Sequence, residues 1–349
     1  MTLPERILVV RRDNIGDLVL TTPLIRALRV ARPQAWIGAL VNTYNAAVLA
    51  GNSDLNAVYA YDKAKHRSDR SRLSVYAATA RTLLALRHLD LDHVILAGPA
   101  AQRQAWKLVR WIGAKNVIGF TTGDFAPTGI TSPMPYGEGA HLHEAEDVFR
   151  LLQMLGIGGE VPGCVVRPDA RLVELGREEA ARALGSHRPW IGVHLSARRV
   201  TQRWPVGRFA EAMHSLHRQL GAGFILYWAP GAADDQRHPG DDALAHELRS
   251  LLPAGMPVFS LATTRLEQLI AGLSLCDAAM LADGGAMHLA AALGKPVVAL
   301  FGDSPVSRWR PWRVEHEVVQ AASGDVADVP VADVISAWER LLPRVAARQ

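Results

Sequence analysis

Cysteine is scarce in this chain: its 349 residues include only Cys164 and Cys276. Two widely separated cysteines form neither a disulfide framework nor a CxxC pair, which excludes a disulfide-rich secreted scaffold and a cysteine-built zinc site. Apolar runs are of strand length, such as VVALF at 297–301, and none approaches the ~18 residues of a membrane-spanning helix. The first residues, MTLPERILVVRR, lack a signal-peptide pattern. We therefore predict a cytoplasmic protein.

Three motifs that define common enzyme classes are also missing. No GxGxxG follows a strand, which argues against a dehydrogenase. The pair Gly294–Lys295 is followed by Pro296, and Leu289 stands where the first P-loop glycine would be, which argues against a P-loop kinase. No HExxH or other histidine–carboxylate spacing indicates a metal. The sequence thus predicts neither a nicotinamide cofactor nor a resident metal ion.

What the sequence does contain is a regular alternation of short β-rich runs with helical stretches, which predicts βαβ units and parallel sheets of the α/β class. Many of the runs are apolar throughout, as expected for strands covered on both faces. The predicted strands are 6–10, 35–41, 57–61, 93–98, 116–120, 191–195, 223–229, 258–261, 278–283 and 296–302. The predicted helices are 18–30, 43–50, 72–88, 101–112, 206–220, 241–252, 265–274 and 285–293.

The alternation breaks once, near the middle of the chain. A helical pattern over 143–157 is followed at 158–172 by GGEVPGCVVRPDARL, which is rich in glycine and proline and has little periodicity. Such composition is typical of a hinge, so we predict a first domain over 1–165 and a second over 166–330. Residues 331–349 form an amphipathic helix whose docking site the sequence leaves open. Ligands are expected in a cleft between two such domains.

Charge is distributed unevenly although the net charge is only +4. Segment 61–72 carries five basic residues against two acids, segment 198–208 carries four basic residues and no acid, and RWRPWR at 308–313 interleaves arginine with tryptophan. A solvated surface normally mixes charges of both signs, so these clusters indicate anionic ligands such as phosphates.

The segment RILVVRRDNIGDLVLTTP at 6–23 begins like a nucleotide-binding unit, with a strand, a turn at Gly16 and a helix. It lacks the glycines of a dinucleotide fingerprint and places Asp17 where a phosphate would be expected. Asp17 either caps its helix or points a carboxylate at a ligand. Asp13 is either a turn-former or a partner of the site.

A second strand–turn–helix segment, MLADGGAMHLAAALGKPVVALFG, lies in the second half. Its backbone amides and helix dipole make an anion site, although an ordinary βα turn has the same composition. A carboxylate there would bind sugar hydroxyls or hold the loop, and the histidine would bind phosphate or pack in the helix. The candidate residues are Asp283, Gly284, Gly285, Ala286, Met287 and His288.

Two further loops follow strands of the second half. In HLSARRVTQRWPVGRF at 194–209, Ser196 and Arg203 are candidates for phosphate contacts, although a solvated arginine is equally common in loops. In YWAPGAADDQ at 227–236, Asp234 or Asp235 could accept from ribose hydroxyls or cap the following helix.

Taken in order, these segments resemble glycosyltransferase family 9, the ADP-heptose:lipopolysaccharide heptosyltransferases. The resemblance rests on ILVVRRDNIGDLVLTTPLIRAL, HEAEDVFRLLQMLGI, IGVHLSARRVTQRWPVGRFAEAM, LEQLIAGLSLCDAAMLADGGAMHLAAALGKPVVALFG and the RPW that follows. It implies a GT-B fold, two Rossmann-like parallel-sheet domains facing across a cleft, with the acceptor on the first domain and the nucleotide-sugar on the second. It further implies an inverting reaction without a tightly held metal.

Carried over by position, Asp17 resembles the family's general base, and Arg203 stands where the family often has lysine. Asp283 with 284–288 resembles the donor sugar and diphosphate site, joined by Ser196 and Asp235. The donor would be ADP-heptose and the acceptor an anionic lipid-linked saccharide of the lipopolysaccharide inner core. The acceptor-binding candidates are Arg11, Arg12, Lys63, Lys65, Arg67 and Arg70. Mild basicity also fits peripheral attachment to the cytoplasmic face of the inner membrane.

Other functions fit the same features. A family 9 enzyme could use a different donor sugar or acceptor. A protein of this fold could bind a nucleotide-sugar or a lipid without catalysis, although Asp17 argues against that, and an epimerase would turn over donor without acceptor. A nucleic-acid role is not predicted, because the basic clusters sit at βα loops and no recognised nucleic-acid module is present.

Overall fold

The chain divides into two compact units, Met1–Arg167 and Pro168–Gln349. The division falls within the glycine- and proline-rich stretch at 158–172. The computed structural model describes residues 4–62, 72–99, 103–123, 127–139, 141–197, 199–235 and 240–346.

The first unit is built on one six-stranded, wholly parallel sheet of order β3-β2-β1-β4-β5-β6. The order turns back at β1, which pairs with β2 on one side and with β4 on the other. Between the carboxyl ends of β1 and β4 lies the topological switch point, the place where open α/β sheets bind ligands. The strands are β1 (Arg6–Val10), β2 (Trp36–Asn42), β3 (Ala57–Tyr61), β4 (His93–Leu96), β5 (Asn116–Thr121) and β6 (Ser132–Pro135).

Helices of the first unit follow these strands as crossover connections. Their apolar sides pack on strands that are themselves apolar on both faces, so Ile7, Leu8 and Val9 are almost completely buried. The helices are α1 (Ile15–Val19), α2 (Thr22–Ala31), α3 (Arg72–Arg87), α4 (Arg103–Ile112) and α5 (Glu144–Phe149), with 3₁₀ turns at Ala46–Leu49 and Arg150–Leu155.

The second unit repeats the same topology. Its parallel sheet has the order β12-β11-β10-β7-β8-β9, so its switch point lies between β7 and β10. The strands are β7 (Trp190–His194), β8 (Gly223–Trp228), β9 (Val258–Ala262), β10 (Ala278–Ala282), β11 (Val297–Phe301) and β12 (His316–Gln320). The helices are α6 (Ala170–Leu184), α7 (Val206–Leu220), α8 (Asp242–Leu251), α9 (Leu266–Leu275), α10 (Gly285–Ala292), α11 (Val306–Trp309) and α12 (Val331–Ala346).

The predicted amphipathic helix near the chain end is α12, and it docks on the second unit. It packs against β11, β12 and α7, and its Trp338 and Leu341 are buried in the core of that unit. The predicted helix over 18–30 is instead two helices, because α1 ends at Val19 and α2 restarts at Thr22 with Pro23 in its first turn.

Candidate active site

In the first unit, the candidate residues that the structure describes cluster at the switch point; they are Arg11, Arg12 and Asp17. Arg11 directly follows β1, and its guanidinium donates a hydrogen bond to the Ala97 carbonyl beyond the end of β4. It therefore bridges the two strands between which the sheet order turns back. Its side chain has no solvent-exposed surface.

Three carboxylates surround this buried guanidinium. Arg11 Nη2 donates to Asp17 Oδ1 and to Glu144 Oε1, each at 2.9 Å, and Arg11 Nε lies 3.0 Å from Asp13 Oδ2. Burial alone would lower the pKa of Arg11, but attraction to Glu144, Asp17 and Asp13 outweighs it and raises the pKa above its ordinary value. Arg11 was predicted to bind the acceptor. Its side chain is instead completely buried and pairs with Asp17, Asp13 and Glu144.

Asp17 is held at both carboxylate oxygens. While Oδ1 faces Arg11, Oδ2 accepts hydrogen bonds from the backbone and side-chain nitrogens of Asn14, both at 3.0 Å. Asn14 is the N-cap of α1, so Asp17 closes a capping box at the start of that helix. The side chain keeps 13% of its surface exposed. Capping and a role at a ligand site are thus compatible, because the contacts fix the carboxylate without enclosing it.

Glu144 was not among the predicted site residues. It begins α5, where His143 is the N-cap and accepts from the Ala145 amide through Nδ1 at 3.1 Å. Glu146 closes this capping box by accepting from the His143 amide at 2.9 Å. In the sequence, the HEAED stretch contributed only to the family resemblance. The contact of Glu144 with Arg11 could not be predicted, because the two residues are 133 positions apart in the chain.

Arg12, the second acceptor candidate, lies at the rim of the same cluster and is partly exposed. Its Nε donates to the Tyr61 hydroxyl, its Nη2 donates to Gln104 Oε1 at 3.2 Å, and its guanidinium lies 5.4 Å from the centre of the Tyr61 ring. The four remaining acceptor candidates lie outside the described residues; they are Lys63, Lys65, Arg67 and Arg70.

In the second unit, Asp283 stands at the carboxyl end of β10, on the switch point of that sheet. Its carboxylate accepts from Gln202 Nε2 at 3.2 Å and from Ser304, so it ties together the loops that follow β7, β10 and β11. Burial raises the pKa of Asp283, although the Ser304 hydrogen bond and Arg199 act in the opposite direction. Gln202 was not predicted, because a glutamine in a basic loop has no distinctive spacing.

Gly284 shapes the start of α10. Its φ of 156° with ψ of −170° is a backbone conformation that is essentially restricted to glycine. The first bond of the helix runs from the His288 amide to the Gly284 carbonyl at 3.3 Å, so the amides of 285–287 precede it. Met287 and His288 are buried, and the His288 ring packs edge-on against Trp309 at 6.3 Å. Among residues 284–288, the backbone is therefore the part best suited to an anion.

Ser196 and Arg203 lie in the loop between β7 and α7. Ser196 Oγ accepts from the Ala229 amide at 3.0 Å, which joins the ends of β7 and β8. Arg203 Nε donates to the Ala197 carbonyl at 2.9 Å, which fixes the guanidinium beside that loop. The residue also lines a cavity of about 180 Å³ with apolar neighbours that include Trp204, Phe209 and Leu244.

The loop between β8 and α8 is closed by a different acid from those predicted. Asp242 accepts from Trp228 Nε1 at 2.7 Å and from the Gly231 amide at 2.9 Å. Asp241 is the N-cap of α8, so neither Asp234 nor Asp235 caps that helix. Both lie exposed on the loop, Asp235 with its amide bonded to the Ala232 carbonyl at 3.3 Å.

Within the described residues, no helix is both long and apolar enough to cross a bilayer. The same residues contain no cluster of three or more histidine, cysteine or acidic side chains that is arranged to hold a metal ion.

Comparison with known proteins identifies the family. The model of glycosyltransferase family 9 (heptosyltransferase) matches residues 85–337, well over half of the chain. The chain belongs to glycosyltransferase family 9. The prediction of a glycosyltransferase is thereby confirmed.

Three relatives of this family 9 enzyme resemble it over nearly their whole length. Lipopolysaccharide heptosyltransferase 3 of Escherichia coli strain K12 is 27% identical over 352 residues, covering 94% of this chain and 95% of the relative. A family 9 glycosyltransferase of Veillonella parvula superposes with a TM-score of 0.83 at 21% identity over 99% of each chain. ADP-heptose lipopolysaccharide heptosyltransferase II of E. coli superposes with a TM-score of 0.76 at 19% identity, over 97% of this chain and 99% of that one. The predicted GT-B fold is confirmed.

Proposed function

We propose that this family 9 enzyme transfers a heptose from ADP-heptose to a saccharide of the lipopolysaccharide inner core, with inversion at the anomeric carbon and with Asp17 as general base. The observation that carries the proposal is the fixed, partly exposed Asp17 carboxylate at the switch point of the first unit. Its relatives include a lipopolysaccharide heptosyltransferase and an ADP-heptose lipopolysaccharide heptosyltransferase, which supports the donor and the acceptor.

On the acceptor side, the reaction needs a base. The acceptor hydroxyl attacks the anomeric carbon from the face opposite the diphosphate; the new C–O bond forms as the bond to the diphosphate oxygen breaks, and the hydroxyl proton passes to Asp17. The Arg11 and Asn14 contacts fix that carboxylate before substrate arrives, so little reorganisation is needed in the transition state. Arg12 and the basic residues at 63, 65, 67 and 70 would bind the anionic acceptor.

On the donor side, negative charge develops on the departing diphosphate. The amides that precede the first bond of α10 and the Arg203 guanidinium are suited to stabilise it, which would make a tightly held metal unnecessary. Asp283, held by Gln202 and Ser304, would accept from hydroxyls of the donor sugar, and Ser196 and Asp235 would complete the donor site. Undiminished transfer in excess EDTA is the expected result for a metal-independent reaction.

The Asp17→Asn substitution tests the base. It keeps the shape and the N-cap contact but removes the proton acceptor, so kcat should fall about 10²- to 10⁴-fold while donor binding is unchanged. Asp13→Asn is the matched control, because it also removes a carboxylate beside Arg11 and should cost far less activity. Full activity of Asp17→Asn would refute the proposed mechanism.

Inversion is tested separately, by reading the anomeric configuration of the product from its NMR coupling constant.

The donor is tested by thermal shift with ADP, UDP, GDP and CMP, since a ligand that binds the native state raises the melting temperature by an amount that grows with the ratio of ligand concentration to Kd. ADP is expected to stabilise the enzyme most. Stabilisation by UDP but not by ADP would overturn the heptose assignment and leave the glycosyltransferase assignment intact.

A further inference from the structure

Helix α3 carries an unusual outer face. Its buried side packs in the core of the first unit through Leu86, yet apolar side chains also follow the opposite, solvent-facing side. Leu73, Tyr76 and Leu84 are 81%, 62% and 55% exposed, and their spacing of three and eight residues places them in one stripe along the helix, with exposed Ala80 between them. A surface helix normally presents polar residues there, so this stripe indicates a contact partner.

Helix α4 lies beside α3 and adds positive charge to the same surface. Its buried side is Ala105, Val109 and Ile112, and its exposed side carries Arg103, Lys107, Arg110 and Trp111. Trp111 is 70% exposed, a large exposed fraction for a tryptophan in a soluble protein. Arg87 Nη1 donates to the Trp111 carbonyl at 3.1 Å and thus joins the ends of the two helices.

Neither helix contains an acidic residue. The sequences RLSVYAATARTLLALR and RQAWKLVRWI carry three basic residues each and no aspartate or glutamate. The acids that follow α3 in the chain, Asp90 and Asp92, are both paired with Lys115, at 3.3 and 3.0 Å. The surface formed by α3 and α4 is therefore apolar in one stripe and positively charged in the next.

We propose that this α3–α4 surface binds the face of an anionic lipid bilayer. The apolar stripe with Tyr76 and Trp111 would enter the headgroup region, where amphipathic aromatic rings are stabilised, while the basic stripe of α4 lies over the lipid phosphates. Opposite charge favours an anionic bilayer over a neutral one or a second copy of this positively charged surface. The inference rests on the peripheral membrane attachment predicted from the sequence, but it is tested without substrate, so its failure would leave the proposed transfer reaction standing.

Vesicle flotation is the direct test. The full-length protein is mixed with vesicles of phosphatidylcholine alone or of phosphatidylcholine with phosphatidylglycerol. We expect binding to the anionic vesicles, weakening as salt is raised, and little binding to the neutral ones. Equal binding to both kinds of vesicle, or binding to neither, would overturn the proposal.

Two paired substitutions locate the surface. Lys107→Gln with Arg110→Gln in the basic stripe of α4 should lower the partition coefficient roughly 25-fold, since each basic residue near the surface contributes about fivefold. Leu73→Ser with Leu84→Ser should lower it on the order of tenfold or more. The control is Leu175→Ser with Arg177→Gln on α6, where an equally apolar and basic pair is also exposed.

Three further measurements test whether the variants are folded, whether the effect is specific to α3 and α4, and whether the surface joins two copies of the chain. Unchanged circular dichroism and thermal unfolding would show that each variant is folded. An equal loss of binding in the α6 control would show that the effect is not specific to α3 and α4 and would refute the proposal. If light scattering shows that the wild type is a dimer and the α3 variant a monomer, with vesicle binding unchanged, the surface joins two copies of the chain and the bilayer proposal is wrong.

Discussion

At the scale of single residues, the most informative feature is a buried arginine with three acidic neighbours. A completely buried guanidinium persists only when its desolvation is offset, and here Asp13, Asp17 and Glu144 provide that compensation. The same contacts orient Asp17. Stability and the geometry of the proposed base are therefore coupled through Arg11.

Glu144→Gln tests that coupling. The substitution removes one charge from Arg11 at 2.9 Å without touching Asp17, so kcat should fall roughly 10- to 100-fold through displacement of the base, with the donor KM unchanged. Steady-state kinetics and a melting curve measure both parts. The control is Glu146→Gln in the same helical turn, where Glu146 accepts from the His143 amide; this variant should retain activity. An equal kcat loss in both variants would refute a positioning role for Glu144.

His194 should make stability depend on pH. Burial lowers its pKa to about 4 from 6.5, against the opposing effect of Asp241. The unfolded chain takes up a proton near pH 6.5, whereas the folded chain does so only near pH 4, so the free energy of unfolding should decrease as pH falls between these values, by up to about 3 kcal/mol. Urea unfolding at pH 7 and 4.5 measures it. His194→Asn should flatten the dependence, and an unchanged slope would show that other groups cause it.

At the scale of secondary structure elements, the start of α10 depends on one backbone conformation. An alanine at 284 would have open space around its Cβ but could not adopt the φ of 156° without strain. Gly284→Ala should cost about 1–3 kcal/mol of stability and should weaken ADP binding by moving the amides of 285–287. Calorimetry measures both quantities.

Gly207 supplies the matched control for that substitution. It lies in α7 with ordinary helical geometry and open space at its Cβ, so Gly207→Ala should raise stability by up to about 1 kcal/mol and leave ADP binding unchanged. Wild-type ADP affinity in Gly284→Ala would mean that the start of α10 does not bind the donor.

Most of these elements could be predicted because their apolar runs and their caps are both local properties of the sequence. The exceptions have local causes as well. Strand β6 was not predicted because Pro133 and Pro135 weaken its pattern, which only the sheet edge tolerates. Helix α6 was not predicted because the glycine- and proline-rich stretch before it obscures where its periodic pattern begins. Strand β12 was not predicted because its sequence, HEVVQ, is short and largely polar.

At the scale of the whole molecule, each unit has its own sheet and its own core, and the proposed donor groups belong to the second unit alone. Hydrogen exchange with and without ADP tests that assignment. Protection should concentrate in peptides that cover 195–203 and 283–288, with little change in 11–17. Protection confined to the first unit would place the nucleotide on the other sheet and contradict the assignment.

The site could be predicted only in part, for a related reason. Asp17, Arg203 and Asp283 each follow a strand, so the strand–loop–helix pattern made them candidates, while their predicted roles came from the resemblance to the family. The partners that hold them are distant in the sequence, since Arg11 meets Glu144 across 133 positions and Gln202 meets Asp283 across 81. Such contacts depend on strand order, which a single sequence does not encode locally.

The two cysteines have a practical consequence. Cys276 is buried and Cys164 is partly exposed. Desolvation raises the pKa of the Cys164 thiol to about 12 and that of the Cys276 thiol to about 11, so at neutral pH both remain protonated and should react more slowly with alkylating reagents than a fully exposed thiol. A new cysteine introduced at an exposed position such as Trp111 would therefore take a fluorescent label selectively, without removal of either native thiol. In the folded protein, the two native thiols would then contribute little label to a fluorescence measurement made at its surface.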